Sequence, residues 1–258
     1  QRHRGPPLRH GARTDTGLLY AVQSLRQLLP AKAQPEYQLP HVTITDVPAY
    51  GWRGLSLDVA RSFLPVEYLE KTIDRMAFFK LNRLHLHLTD DQGWRIEIKQ
   101  YPKLMEIGGA SAVKGGRSGW YTQEELKHLV AYAQARGITL VPEIDLPGHV
   151  QAALASYNEL ACDDTKNLAP YSGLEVGFSV LCLDKPDVVY PFVRNVLEEV
   201  LAIFPSQEIH VGGDEIKHPL YADFVSRAAA MVDEMGRTPI FWEEGSVAAT
   251  KPNVLFQF

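Results

Sequence analysis

Arg83-Leu84-His85-Leu86-His87-Leu88-Thr89-Asp90-Asp91 alternates polar and apolar residues and then ends on two adjacent carboxylates. Successive side chains of a strand point to opposite faces, so a period of two predicts a strand at 83–88 with His85 and His87 on one face. Strand and helix patterns alternate outward from it. Upstream, residues 55–59 read as a strand. Pro65 then opens a helix where its missing N–H costs nothing, with Leu69, Ile73, Met76 and Ala77 at helical spacing. Downstream, Thr122 and Glu125 form a capping box for a helix ending at Gly137, followed by a strand at 138–145. A helix over about 187–204 leads to a strand at 208–211, and one over about 221–235 leads to a strand at 239–242. Residues 254–258 give a sixth strand pattern.

Such alternation predicts a parallel sheet. An open doubly wound sheet usually carries a glycine-rich phosphate turn after its first strand, and none is present here. Each of the first five strands instead ends in polar residues: Asp58 and Arg61, Asp90 and Asp91, Asp145 and His149, Asp214 and Glu215, Trp242 and Glu243. Active sites of α/β barrels are built from those C-terminal strand ends. The expected fold is therefore α/β, of the (β/α)8 TIM-barrel type, incomplete, with about six strands in the 258 residues. Residues 51–258 read as this barrel, truncated at its C-terminal side. Residues 1–50 read as a remnant of a small α/β unit and a linker: an amphipathic helix over 15–29, then Pro30, Pro35, Pro40 and Pro48 around a short alternating run at 42–45.

Composition narrows the partners. A net charge of −5 argues against nucleic acid, because phosphate binding leans on a basic excess. No run approaches the ~18 apolar residues of a membrane span. The basic N-terminal residues have no apolar stretch behind them, so no signal peptide is visible. Cys162 and Cys182 are either two unlinked core residues or one disulfide clamping a loop. The disulfide is the favoured reading, and it favours an extracellular or periplasmic setting.

Three groups of residues carry chemistry. His85-x-His87 offers a metal reading, with His149, His210 and Asp214 as later ligands; the competing reading is hydrogen-bonded interior histidines. Gly212-Gly213-Asp214-Glu215 puts two carboxylates just past a strand end. Crowding separates the pKa values of such pairs, as glycoside hydrolysis requires; a helix N-terminus acidified to suit its dipole is the alternative. Asp90-Asp91-Gln92-Gly93-Trp94-Arg95 and Trp242 add carboxylates and aromatic plates at the same rim.

Together, Arg53–Arg61, Asn82–Arg95, Val141–His149, His210–Glu215 and Phe241–Glu243 resemble the catalytic domain of the β-N-acetylhexosaminidases, glycoside hydrolase family 20. Residues 15–47 resemble the last helix and strand of the small domain that precedes that barrel. The resemblance implies a retaining mechanism in which the substrate's 2-acetamido oxygen is the nucleophile, an exception to the two-carboxylate scheme. It implies Glu215 as general acid and then base, and Asp214 as the group orienting the acetamide. It further implies Arg61 on ring hydroxyls, Asp90 and His149 holding Glu215, Asp145 behind them, and Trp242 as a pocket wall. Neither a metal nor another cofactor is implied, and the ligands are N-acetylglucosaminide or N-acetylgalactosaminide glycans. Two other readings compete: a non-catalytic glycan-binding remnant and a metal-dependent barrel hydrolase. An open barrel exposes strand edges and interior, which predicts a homodimer.

Overall fold

The computed structural model describes residue 9 and residues 11–165, 167–248 and 253–258. The N-terminal residues 1–7, on which the signal-peptide expectation rests, lie outside them. In chain order the elements are helix α1 (Asp15–Leu28), strand β1 (Gly54–Asp58), α2 (Val66–Phe78), β2 (Arg83–His87), β3 (Thr89–Asp90), β4 (Gly93–Trp94) and a short α3 (Lys103–Glu106). Then come α4 (Gln123–Gln134), β5 (Thr139–Glu143), a short α5 (Gln151–Ser156), α6 (Pro186–Ile203), β6 (Glu208–His210), α7 (Tyr221–Glu234), β7 (Thr238–Trp242) and β8 (Leu255–Gln257).

Six strands form one parallel sheet in the order β1-β2-β5-β6-β7-β8. The sheet curls. A cavity of about 420 Å³ is lined by Gly54, Leu55 and Ser56 of β1 and by Leu255, Phe256 and Gln257 of β8, so the first and last strands face each other across one interior. The fold is thus an incomplete (β/α)8 barrel, open along the seam between those strands. Leu55, Leu255 and Trp52 are exposed beside the seam.

Local chemistry sets the helix ends. Thr122 and Glu125 form the capping box, the Thr122 side chain accepting from Glu125 N and the Glu125 carboxylate accepting from Thr122 N. Gly137 and Gly236 take positive φ just beyond α4 and α7, where a side chain would be strained. Pro65 is the N-cap of α2 rather than its first helical residue. The buried faces of α2, α4, α6 and α7 pack with β2, β5 and β6 into one core.

The β3–β4 hairpin turns over Asp91-Gln92 directly after β2, and β3 pairs antiparallel with β4. It delivers Arg95 into the interior. The Arg95 guanidinium donates to the carbonyls of Val59, Ala60, Gly109, Gly119 and Ser111 at 2.6–3.2 Å, and more weakly to that of Gln92. Burial pulls its pKa down to about 10, still charged at neutral pH. One cation therefore ties together the loops that follow β1 and β4.

One expected strand is absent. Residues 42–45 form no strand, and Val42 and Ile44 are 54% and 52% exposed. A strand needs a partner ladder, and the 42–45 run pairs with no strand among the described residues. The helix of that unit is present as α1, tied to the barrel where Gln27 Nε2 donates to Phe78 O at 2.7 Å and Arg53 to the Tyr20 hydroxyl at 2.7 Å.

Cys162 and Cys182 are joined in a disulfide. It closes the loop whose far end pairs with the rim, Val180 bridging Gly148 and Leu181 N donating to Pro147 O at 2.9 Å. A bridge over 20 residues constrains the unfolded chain by roughly 3 kcal/mol. The Cys162→Ser/Cys182→Ser variant is expected to lose about that much stability in denaturant melts, and reduction of the unsubstituted chain should reproduce the loss.

Candidate active site

Strand β6 ends at His210, and the chain then turns through Gly212 and Gly213 at φ +75° and +98°. A Cβ on Gly212 would sit 1.8 Å from Asp145 Oδ1, so only glycine fits against that carboxyl. Gly212 O accepts from Trp242 N at 2.9 Å, Gly213 O accepts from the Tyr221 hydroxyl, and Gly213 N donates to Asp145 Oδ1 at 3.3 Å. The turn leaves Asp214 and Glu215 at the rim, their side chains 25% and 46% exposed. Glu215 has φ +58° and His149 φ +54°. Left-handed backbone at a non-glycine residue costs roughly 1–2 kcal/mol, and such strain gathers at functional sites.

His149 joins the two carboxylates to the interior. Its Nε2 lies 3.5 Å from both Asp214 Oδ2 and Glu215 Oε2, and its Nδ1 lies 3.4 Å from Asp90 Oδ1 and 3.6 Å from Asp91 Oδ2. Burial disfavours the imidazolium, but Asp90 and Asp91 outweigh it and push the pKa up to about 11. Asp91 is held in turn by the Ser179 hydroxyl and by Gln151 N at 3.1 Å.

Asp90 is the second junction. Burial works against its charge, yet His149, His87 and Arg61 hold its carboxyl well below the usual range. Arg61 Nη2 lies 2.8 Å from Asp90 Oδ2, and Arg61 Nη1 lies 3.0 Å from Asp58 Oδ2. Asp58 also accepts from Ala60 N and Arg61 N at 2.9 and 3.0 Å, which folds the chain after β1 so that the guanidinium faces the rim. Asp145 differs from both. Burial together with Asp214 and Glu143 raises its pKa well above the ordinary value.

The expected residues Arg61, Asp90, Asp145, His149, Asp214 and Glu215 thus come together. Trp242 is connected to them through a residue that the sequence reading passed over, Glu143. This carboxylate has no exposed surface. Its Oε2 accepts from His85 Nε2 and His87 Nδ1, each at 2.7 Å, and its Oε1 accepts from Trp242 Nε1 at 2.9 Å, with His210 Nδ1 at 3.2 Å. His87 Nε2 continues to Asp90 Oδ2 at 2.7 Å. Burial alone would raise the pKa of Glu143, but His87 and His210 hold it well below the carboxylate range. Its signal in the sequence was a lone acid inside an apolar strand, since buried glutamate is almost always paired. Its register partners, His87 on β2 and His210 on β6, become visible only in the sheet.

This arrangement bears on the metal reading. His85 and His87 turn their inward nitrogens onto one carboxylate oxygen rather than toward a common open point. His85 with Glu143 and His210, and His87 with Asp90 and Asp145, nonetheless bring three possible ligand atoms within 4.8 Å of one another.

Comparisons with known proteins agree with this architecture. The model of the glycosyl hydrolase family 20 catalytic domain matches residues 50–223, and that of family 20 domain 2 matches residues 11–47. A beta-N-acetylhexosaminidase of Cellulomonas fimi is 41% identical over 250 residues, which is 96% of this chain and 50% of that protein. A beta-hexosaminidase of Porphyromonas gingivalis is 41% identical over 258 residues, covering 88% of this chain and 33% of its own length. A Streptomyces plicatus beta-hexosaminidase variant solved with its product GlcNAc superposes with a TM-score of 0.90 at 45% identity, over 95% of this chain and 50% of the other. The chain therefore spans about half or less of the length of these relatives. With the catalytic-domain model matched over more than half of its residues, and with the same half-barrel in its solved relatives, the chain belongs to glycosyl hydrolase family 20.

Proposed function

We propose that this chain carries the reaction centre of a β-N-acetylhexosaminidase, releasing terminal non-reducing N-acetyl-β-D-hexosamine residues from glycans. Residues 51–258 would form the catalytic unit and residues 1–50 part of the unit before it. The observation that carries the reading is the placement of Asp214 and Glu215 at one strand end, both within 3.5 Å of the same buried histidine.

Glu215, the more exposed of the two, is placed to donate a proton to the leaving oxygen and later to accept one from water. The acetamido oxygen of the substrate attacks the anomeric carbon, forming a cyclic oxazolinium with retention at the end of the cycle. Asp214 orients the acetamide N–H and balances the positive charge that develops on it. Asp145 stands behind it, its Oδ1 accepting from Gly213 N at 3.3 Å. Arg61 faces the ring hydroxyls, and Trp242 walls the acetamide. His149 and Asp90 fix Glu215 against the site. No cofactor enters the scheme.

Three measurements check these statements. Glu215→Gln is expected to lower kcat/KM on an unactivated N-acetylglucosaminide by roughly 10²–10⁴, the usual worth of a general acid and base. Asp214→Asn should lower kcat by about one to three orders of magnitude with little change in KM; a covalent sugar trapped on either carboxylate would overturn the substrate-assisted route.

The pH dependence of folding follows from the two junction residues. The His149 pKa is raised from 6.5 to about 11, so its stabilisation is complete below pH 6.5 and is lost as pH climbs toward 11. That of Asp90 is lowered from 3.8, so its contribution is complete above that value and is lost as pH falls below it. Stability in denaturant melts should therefore peak between about pH 4 and 6.5. His149→Gln should make the alkaline decline shallower without abolishing it, since the pKa of His87 is raised as well.

A further inference from the structure

The interior of the half-barrel contains a charged group that the reaction scheme above does not use. Glu143 lies at the end of β5, between β2 and β6, and has no exposed surface. Its two oxygens divide their work. Oε2 meets His85 and His87 on β2, and Oε1 meets the Trp242 indole N–H from the end of β7. Through His87 the first oxygen is one residue from Asp90, which contacts both Arg61 and His149. Through Trp242 the second oxygen reaches the proposed acetamide wall. The rings themselves pack in contact: His85 is stacked on His210 at 4.8 Å and 17°, and His210 meets Trp242 tilted, at 4.8 Å and 56°.

A tryptophan at a rim has two side-chain torsions to settle, and a partly buried indole takes its orientation from whatever accepts its N–H. Here that acceptor is charged, and a charge-assisted hydrogen bond is about twice as strong as a neutral one. The acceptor is also anchored from its other side by two histidines at 2.7 Å, so it cannot follow the indole if the ring swings. An ordinary core contact would fix only one of the two partners.

We propose that Glu143 is a positioning residue that registers the Trp242 wall against the Asp90–His149–Glu215 line, so that one buried carboxylate sets the distance between acetamide and acid. This rests on the hexosaminidase reading above for its functional meaning, but the physical link does not. Glutamine at 143 keeps the shape and removes the charge, and its amide nitrogen would face a donor on whichever side it turned. The indole would be released, the His87 ring would lose one of its two acceptors, or both would follow.

The test uses the full chain with ¹⁵N-labelled tryptophan, the Trp242 indole signal being assigned with Trp242→Phe. In the unsubstituted chain that N–H should exchange with solvent at least tenfold more slowly than that of exposed Trp120. In Glu143→Gln its resonance should move and its exchange should quicken at least tenfold, while the melting transition stays cooperative. On a chromogenic N-acetylglucosaminide, KM should rise about tenfold with a smaller change in kcat, and the rise in KM should vanish in a Trp242→Phe background. Equal exchange of Trp242 and Trp120 in the unsubstituted chain would overturn the proposal with no variant needed. An unmoved indole signal in Glu143→Gln, or additive effects on KM in the two backgrounds, would do the same. Should the unsubstituted chain turn over no N-acetylhexosaminide, the functional reading fails, and the indole signal still decides whether Glu143 holds Trp242.

Discussion

A carboxylate with no exposed surface stays ionised only where the protein supplies the hydrogen bonds that water would have made. Glu143 is that group here, and much of the site can be traced from it. Satisfying it brings His85 and His87 from one strand, leans His210 in from another and turns the Trp242 indole inward from a third. His87 is then shared with Asp90, Asp90 with Arg61 and His149, and His149 with the two rim carboxylates. The order runs from the barrel interior to its mouth. Removing one partner from such a line leaves an uncompensated buried charge, and that costs more than the pair was worth.

The line also explains how neighbouring acids come to differ. Asp90 lies among His87, His149 and Arg61, which hold its pKa down against burial, whereas burial, Asp214 and Glu143 raise that of Asp145. Their residue type is identical, and the balance between burial and neighbouring charges sets the direction of each shift.

Much of this was legible before any coordinates. Period-two runs followed by helical spacing located the strands to within about two residues, because one-sided burial writes itself into the order of residues. Polar residues at successive strand ends pointed to a barrel mouth, and the barrel closes far enough to bring them together. Two features were not legible. Glu143 gains its meaning from register partners 56 and 67 residues away in sequence, and register across a parallel sheet leaves no local mark. The run at 42–45 carries a strand's alternation but pairs with no partner ladder among the described residues, so pattern alone overstates it. The disulfide lay between these cases, since two cysteines allow one pairing but do not require it.

Among the described residues, Arg95 grips main-chain carbonyls and no carboxylate. Every residue has a carbonyl, so the grip is indifferent to which side chains stand at 60, 92 or 111. The loops above the site are thereby fastened by their backbone path alone. The side chains of those loops can then change without loosening the anchorage beneath them.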